Sequence, residues 1–324
     1  MVKTRIASFE GKGKVILKEM SIKPAPNQVL VKVQQASICG TDKLFFRGEI
    51  PAEIHLPVFP WGHEGGGEVV AVGEKVREYA VGDQVMSFGR GTYADYCLFT
   101  VPYDCLPAPP GIPMEITSLG EPLACAVYAA QEITKQIVIG DVVAVIGAGF
   151  AGQVLAQGIK RGGASQVIVT DLIDEKLALA RQLGADVTIN PQTSDLEAAI
   201  TDLTDNRGVD LVAEASGSGA GLNTASTILR RNGTIAIYSH YMKPFMVNMY
   251  RWHEDAFKIL HTCLMHRTRE EMVVGVREAY RLVQQRLFDI TPLLTRSFTL
   301  SAISEAFDQE IQDPRSVKTI ISPS

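Results

Sequence analysis

The chain has 324 residues, 46% of them hydrophobic and 21% charged, with a formal net charge of −5. That length allows one or two domains with a sizeable core, and a mildly acidic chain without a Lys/Arg block gives nucleic acid no electrostatic footing. No apolar run approaches the roughly 20 residues a membrane helix needs, the start from Met1 to Ile6 has no apolar leader core, and the five cysteines are scattered and odd in number, so a cytoplasmic protein without a disulfide framework is expected.

Residues 4–37 read as three strands, Thr4–Phe9, Val15–Glu19 and Val29–Ala36, punctuated by Gly11, Gly13 and the turn Pro24–Asn27. Cys39, Gly40, Thr41 and Asp42 follow. A cysteine thiolate is a strong zinc ligand, and Gly40 permits a sharp turn behind it; a buried free cysteine is the plainer alternative. Residues 47–61 form a Pro- and Gly-rich loop that carries His55, Phe59 and Trp61, read either as ordinary loop packing or as a wall of a substrate pocket.

The segment Gly62–Val76 packs His63, Glu64 and a glycine cluster ahead of alternating valine and alanine. The His63 ring nitrogen suits Zn²⁺, and the carboxylate of Glu64 can ligate the metal or sit just behind it. The Val/Ala alternation after Glu68 reads as a strand. Val81–Val85 is a turn entering another strand, and no cysteine falls between residues 86 and 96. Glu121 precedes Pro122, which suits a first helical turn, so Glu121 is placed at a helix N-terminus, where the dipole alone favours a carboxylate. Cys125 lies one helical turn further on, as a rival ligand.

A continuous apolar strand, Val142–Ile146, then runs into Gly147, Gly149 and Gly152, and a helix-like segment, Gln153–Arg161, follows. The G-x-G-x-x-G pattern is weak alone but strong between a strand and a helix. Gly147 gives the tight turn, Gly149 the close approach of a pyrophosphate and Gly152 the helix–strand contact, with backbone N–H groups of the helix N-terminus on the phosphates. The next strand, Gln166–Thr170, ends at Asp171, nineteen residues after Gly152. An acid there accepts from the adenosine ribose and repels a 2′-phosphate, and Leu172 and Ile173 supply no arginine, so NAD is favoured over NADP. The βα alternation continues through strands Val209–Ala213 and Thr234–Tyr238 to a last strand, Lys258–Cys263. This is the pattern of a doubly wound parallel sheet, with strand ends at Ala215–Gly217 and Ser239–His240 lining the nicotinamide half. Ser216 and Ser239 are the cofactor contacts expected there, and His240 is either a substrate donor or a loop cap.

The ordered set Gly62-His63-Glu64, Gly67, Gly73 and Val76, with Cys39 upstream and Glu121 and the glycine fingerprint downstream, resembles the zinc-dependent alcohol dehydrogenases, the medium-chain dehydrogenase/reductase family. The likeness runs from about Lys14 to Ile321, and Glu121 is most similar to the sorbitol and polyol dehydrogenase branch. It implies an α/β chain with a co-chaperonin-like β-barrel catalytic domain, residues 1–124 and 265–324, around a Rossmann domain, residues 125–264. It also implies one catalytic zinc held by Cys39 and His63, with Glu64 and Glu121 sharing the remaining protein position. Family members often carry a four-cysteine lobe around a structural zinc; the segment from Ser87 to Tyr96 is too short for it, and Cys97 and Cys105 cannot rebuild it. The implied reaction is hydride transfer between NAD and a secondary alcohol of a polyol, sugar or cyclitol, with Thr41 taking the substrate's proton. Relatives commonly pass that proton to a histidine, and Leu44 stands at that position here. A homodimer or homotetramer is implied, through the last strand of the parallel sheet. Two other readings stay open: a zinc-free NADPH-dependent quinone or enoyl reductase on the same fold, whose members generally lack the Cys, His-Glu and Glu set, and a non-catalytic dinucleotide-binding protein.

Overall fold

A computed structural model describes residues 1–11, 13–49, 61–265 and 267–323. His55 and Phe59 lie outside the described residues. The chain divides into two compact units, Met1–Pro122 with Leu294–Ser324, and Leu123–Leu293. Among the described residues no helix is long and apolar enough to cross a membrane.

The first unit opens with a hairpin of Val2–Gly11 and Lys14–Ile22, turned through Gly11 and Gly13 at φ 131° and 73°. Its main sheet has the order Leu294–Thr299, Lys318–Ser322, Gln28–Ser37, Glu64–Val72, Gln84–Ser87 and Cys105–Pro107, and Tyr96–Thr100 also pairs with Gln28–Ser37. Strand alternation sorts the core: Val29, Val31 and Val33 pack with Val69, Val85, Cys97 and Phe99. An aromatic cluster of Phe46, Trp61, Tyr93 and Phe307 fills the other core of this unit. The bridge between Ile6 and Ala94 and the bond from Ala7 N to Tyr93 O stitch the hairpin to this body.

The second unit is a six-stranded, all-parallel sheet in the order Val187–Ile189, Gln166–Thr170, Val142–Ile146, Val209–Glu214, Leu229–Ile237 and Lys258–His261. Order reverses between Val142–Ile146 and Val209–Glu214, which is the switch point of a doubly wound fold. Val142–Ile146 is buried on both faces: Val143 and Val145 face one core cluster, Val142, Ala144 and Ile146 the other. That explains its unbroken apolar run.

Two local features differ from the sequence reading. Residues after Cys39 form a helix, Gly40–Arg47, rather than a bare turn; Asp42 accepts from the Cys39 N–H at 3.1 Å and Gly48, at φ 66°, closes its C-terminus. The return to the first unit comes at Leu294, not near residue 265. The helix Arg269–Gln284 stays with the second unit, where a Cβ on Gly275 would stand 2.9 Å from Leu264 and Gln131 reaches Glu278 at 3.4 Å.

Candidate metal centre and dinucleotide site

Sheet register builds the candidate metal centre. Ser37, at the end of Gln28–Ser37, pairs with Glu64, the first residue of Glu64–Val72. Cys39 therefore emerges beside His63 and Glu64. On the other side, Ile320 pairs with Ser37, and Ile38 N donates to Thr319 O at 2.9 Å. Three strands thus deliver Cys39, His63 with Glu64, and Lys318 to one place. The glycines of the motif serve this approach: a Cβ on Gly67 would lie 2.0 Å from Lys32 O.

One donor atom each from Cys39, His63 and Glu64 lies within 4.8 Å of the others. Cys39 and His63 are half-buried and Glu64 is fully buried. Glu64 divides its carboxylate. Oε2 takes an ion pair from Lys318 Nζ at 2.5 Å and a short bond from the Ser37 hydroxyl, while Oε1 is buried with no hydrogen-bond partner among the described residues. An orphaned carboxylate oxygen beside a thiol and an imidazole fits a cation, and this soft-plus-borderline donor set fits zinc.

Asp42 organises the imidazole. Its Oδ1 is 3.6 Å from His63 Nδ1, and its Oδ2 accepts from the buried Tyr93 hydroxyl at 2.6 Å. At 3.6 Å the carboxylate attracts the imidazole electrostatically without hydrogen-bonding it. Burial works against a charged His63, but Asp42, then Cys39 and Glu64, outweigh it and hold its pKa well above the ordinary histidine value. Burial also works against the Glu64 anion, but Lys318 and His63 hold its pKa below the ordinary value. Burial likewise opposes the Lys318 cation, which Glu64, Cys39 and Glu121 hold above its ordinary pKa.

Thr41 sits half-buried in the first turn of the Gly40–Arg47 helix, two residues past Cys39, and Leu44 follows on the same helix. Glu121 stands in the first turn of the helix Gly120–Thr134, where its sequence context places it. It is outside the three-residue donor cluster and bears on the centre through Lys318. Cys125 is outside that cluster too. Cys97 and Cys105 belong to the hydrophobic core, where burial, then Cys105 and Asp104, push the Cys97 thiol far up.

In the second unit, Gly147 turns at φ 96°, and a Cβ on Gly152 would stand 1.8 Å from Gly147 O. Gly149 is the N-cap of the helix Phe150–Arg161, and a Cβ there would meet nothing within 4 Å. Open space over a helix N-terminus is the cradle a pyrophosphate requires. Asp171 is pinned to that turn: Oδ2 accepts from Ala148 N at 2.7 Å and Oδ1 from Ile173 N at 3.0 Å. Each oxygen keeps a lone pair for a further donor. Ser216 bonds to Glu214, and Ser239 Oγ accepts from Gly217 N at 2.8 Å.

Comparison with known proteins follows the same division. Residues 25–110 match the alcohol dehydrogenase GroES-like domain and residues 151–279 the zinc-binding dehydrogenase domain. The chain belongs to the zinc-dependent alcohol dehydrogenase family. This alcohol dehydrogenase relative is an oxidoreductase with a GroES-like unit and a Rossmann unit. It is similar to the L-threonine 3-dehydrogenase of Coxiella burnetii, 28% identical over 322 residues that cover 88% of this chain and 89% of that one. A 2R,3R-butanediol dehydrogenase from Bacillus subtilis shares the fold at a TM-score of 0.84 and 24% identity, covering 99% and 100% of the two chains. A zinc-binding dehydrogenase chain from Sinorhizobium meliloti, solved bound to NADP, does so at 0.85 and 23%, covering 100% of both.

The sequence alone did not point to Asp42, Lys318, Tyr93 and Ser37 as neighbours of the Cys39, His63 and Glu64 cluster. Two signals could have found them: an acid three residues past Cys39, and a lone lysine in the closing strand Lys318–Ser322.

Proposed function

We propose that this dehydrogenase oxidises a secondary alcohol, of a polyol, sugar or cyclitol, with NAD⁺ and one zinc ion per chain. The observation that carries the reading is the donor cluster of Cys39, His63 and Glu64, with the buried Glu64 Oε1 left without a partner. A zinc ion held by Cys39, His63 and Glu64 would supply Lewis acidity toward the alcohol oxygen, and a bound nicotinamide would supply the hydride acceptor. The remaining work falls to the chain. Asp42 attracts the His63 imidazole, and Lys318 occupies one oxygen of Glu64 and leaves the other for the metal. Thr41 takes the substrate's proton, and with Leu44 in place of a basic side chain the proton leaves through a ribose hydroxyl or ordered water. Glu121 is the alternate carboxylate, held near Lys318.

NAD is preferred because Asp171 sets an anion at the strand end where a 2′-phosphate would lie, with Leu172 and Ile173 beside it. Threonine and 2,3-butanediol, the compounds named for two relatives, both carry secondary hydroxyls, in keeping with this class. The exposed edge strand Lys258–His261 is the surface through which we expect a homodimer or homotetramer. A zinc-free quinone or enoyl reductase has no use for the donor cluster. The test is NAD⁺ reduction by purified, metal-analysed protein across a panel of polyols, sugars, cyclitols and hydroxyamino acids. Turnover of a secondary alcohol supports the reading; turnover of quinones alone, without zinc, refutes it.

A further inference from the structure

Glu214 is the last residue of the strand Val209–Glu214 and is fully buried. Both its carboxylate oxygens accept hydrogen bonds. Oε1 takes the Ser216 N–H at 2.8 Å and the Ser216 hydroxyl at 2.5 Å, and Oε2 takes the Tyr241 hydroxyl at 2.5 Å. These donors are all neutral, and no ion pair to Glu214 occurs among the described residues. The Ser216 N–H can only donate, and Oε1 lies beside the first turn of the helix Gly219–Ile228, where a Cβ on Gly221 would stand 2.9 Å from it, so the positive end of that helix favours negative charge on Glu214. Burial, then Glu214 itself, push the Tyr241 phenol far up, so Tyr241 stays a donor.

A buried carboxylate caged by neutral groups is an expensive arrangement for structure alone, since an apolar strand end would pack without it. Its place suggests a use. Glu214 pairs with Ile146, the residue before Gly147, across the switch point. A Cβ on Gly147 would lie 2.8 Å from Ser216 N, so the loop after Glu214 rests on the glycine turn itself. The Tyr238 N–H, at 3.1 Å, and the Ser239 hydroxyl, at 3.4 Å, both donate to Glu214 O, which ties the neighbouring strand end to the same point. Gly147 and Asp171 occupy the adenosine half of the sheet, so these strand ends belong to the nicotinamide half.

We propose that Glu214 is an electrostatic selector for the oxidised cofactor: its buried charge favours the positive ring of NAD⁺ over the neutral ring of NADH. The nicotinamide ring differs by one unit of charge between the two forms, and a fixed anion in a poorly screened site acts on that difference alone. Neutral donors hold the carboxylate in place without cancelling its charge, as an arginine would. The effect biases the enzyme toward taking up NAD⁺ and releasing NADH, the direction of alcohol oxidation. This inference rests on the nicotinamide reading given above.

The test measures dissociation constants of NAD⁺ and NADH by calorimetry, without substrate, on the full chain and on Glu214→Gln, which keeps the size and an acceptor for Ser216. The ratio of the NAD⁺ to the NADH constant is expected to rise about three- to tenfold in Glu214→Gln, chiefly through weaker NAD⁺ binding. Equal losses for both forms would make Glu214 merely structural, and an unchanged ratio would also overturn the selector. Tyr241→Phe, which removes a neutral donor and leaves the charge, covers a failure of the first variant to fold. Its ratio is expected to hold or to shift further toward NAD⁺, and a shift toward NADH overturns the proposal. If the wild type binds NADP⁺ and NADPH instead, the same ratio is read with that pair. Binding of neither pair would remove the cofactor reading and this inference together, whereas an unmoved ratio in a chain that binds both forms removes this inference alone.

Discussion

Lys318 Nζ lies 2.5 Å from Glu64 Oε2, with both side chains buried, so the closing strand of the chain neutralises the carboxylate that opens the strand behind His63. Breaking a buried pair leaves one charge uncompensated. Lys318→Met is expected to destabilise the metal-free protein by about 3–5 kcal/mol in denaturant unfolding. A bound cation offsets the orphaned carboxylate, so the loss should be smaller in the zinc-loaded protein. Equal losses in both forms would mean that Glu64 does not face the metal.

Asp42 reaches His63 from behind, and partners of that kind set ligand orientation and basicity. Asp42→Asn should weaken zinc affinity about 10–100-fold in competition with a chromophoric chelator. Because the metal-free imidazole holds its proton above the ordinary histidine value, zinc has to displace that proton. Zinc affinity should accordingly fall as pH falls through the neutral range. A pH-independent zinc affinity would contradict the placement of His63 in the donor set.

The proposed preference for NAD rests on Asp171. Losing a ribose bond to a charged acceptor and adding like-charge repulsion should together cost NADP⁺ about 2–4 kcal/mol in kcat/KM relative to NAD⁺. Asp171→Asn keeps an acceptor for Ala148 N and should narrow that gap. Equal use of the two cofactors by the wild type would refute the preference.

Thr41 is the proton acceptor in this account. Thr41→Val should lower kcat by about 10²–10⁴-fold, the worth of one positioned proton-transfer group. Leu44→His should raise turnover below neutral pH by adding a base with a pKa near about 6.5. Substrate deuteration reports whether hydride transfer limits the rate. Wild-type turnover in Thr41→Val under that condition would remove the assignment and make His240 the next residue to replace.

Glu310 anchors the helix that follows Cys39: it accepts from Lys43 Nζ at 3.2 Å and closely from the Thr319 hydroxyl. Burial raises its pKa, but Lys43, Thr319 and Ser316 lower it further, so the folded value lies below the ordinary 4.5. A depressed carboxyl contributes stability that is present above the unfolded value and is lost as pH falls through the folded one. Glu310→Gln should therefore be less stable than the wild type at neutral pH, with the difference closing in acid below about pH 4.5. Urea unfolding at both pH values measures it.

What could be read in the sequence was what neighbouring residues decide. The glycine turn at Gly147–Gly152 needs only a buried strand before it and a helix after it, and all are contiguous. His63 and Glu64 were legible for the same reason, and Cys39 because the family order carries it. Lys318 was not, because its partnership depends on a register formed between opposite ends of the chain. The helix Gly40–Arg47 was hidden because Gly40 and Thr41 are weak helix formers, and its support comes from the Asp42 cap and Gly48. The helix Arg269–Gln284 buries Val276, Ala279 and Tyr280, but an amphipathic period does not say which unit covers the buried face.

The most direct test of the account is a zinc titration of chelator-stripped protein, with NAD⁺ reduction on the best secondary alcohol of the panel read at each addition, beside Cys39→Ala. Activity is expected to rise linearly and saturate near about one zinc per chain, with Cys39→Ala neither binding zinc nor turning over. Full activity in the stripped protein, or in Cys39→Ala without metal, would contradict it.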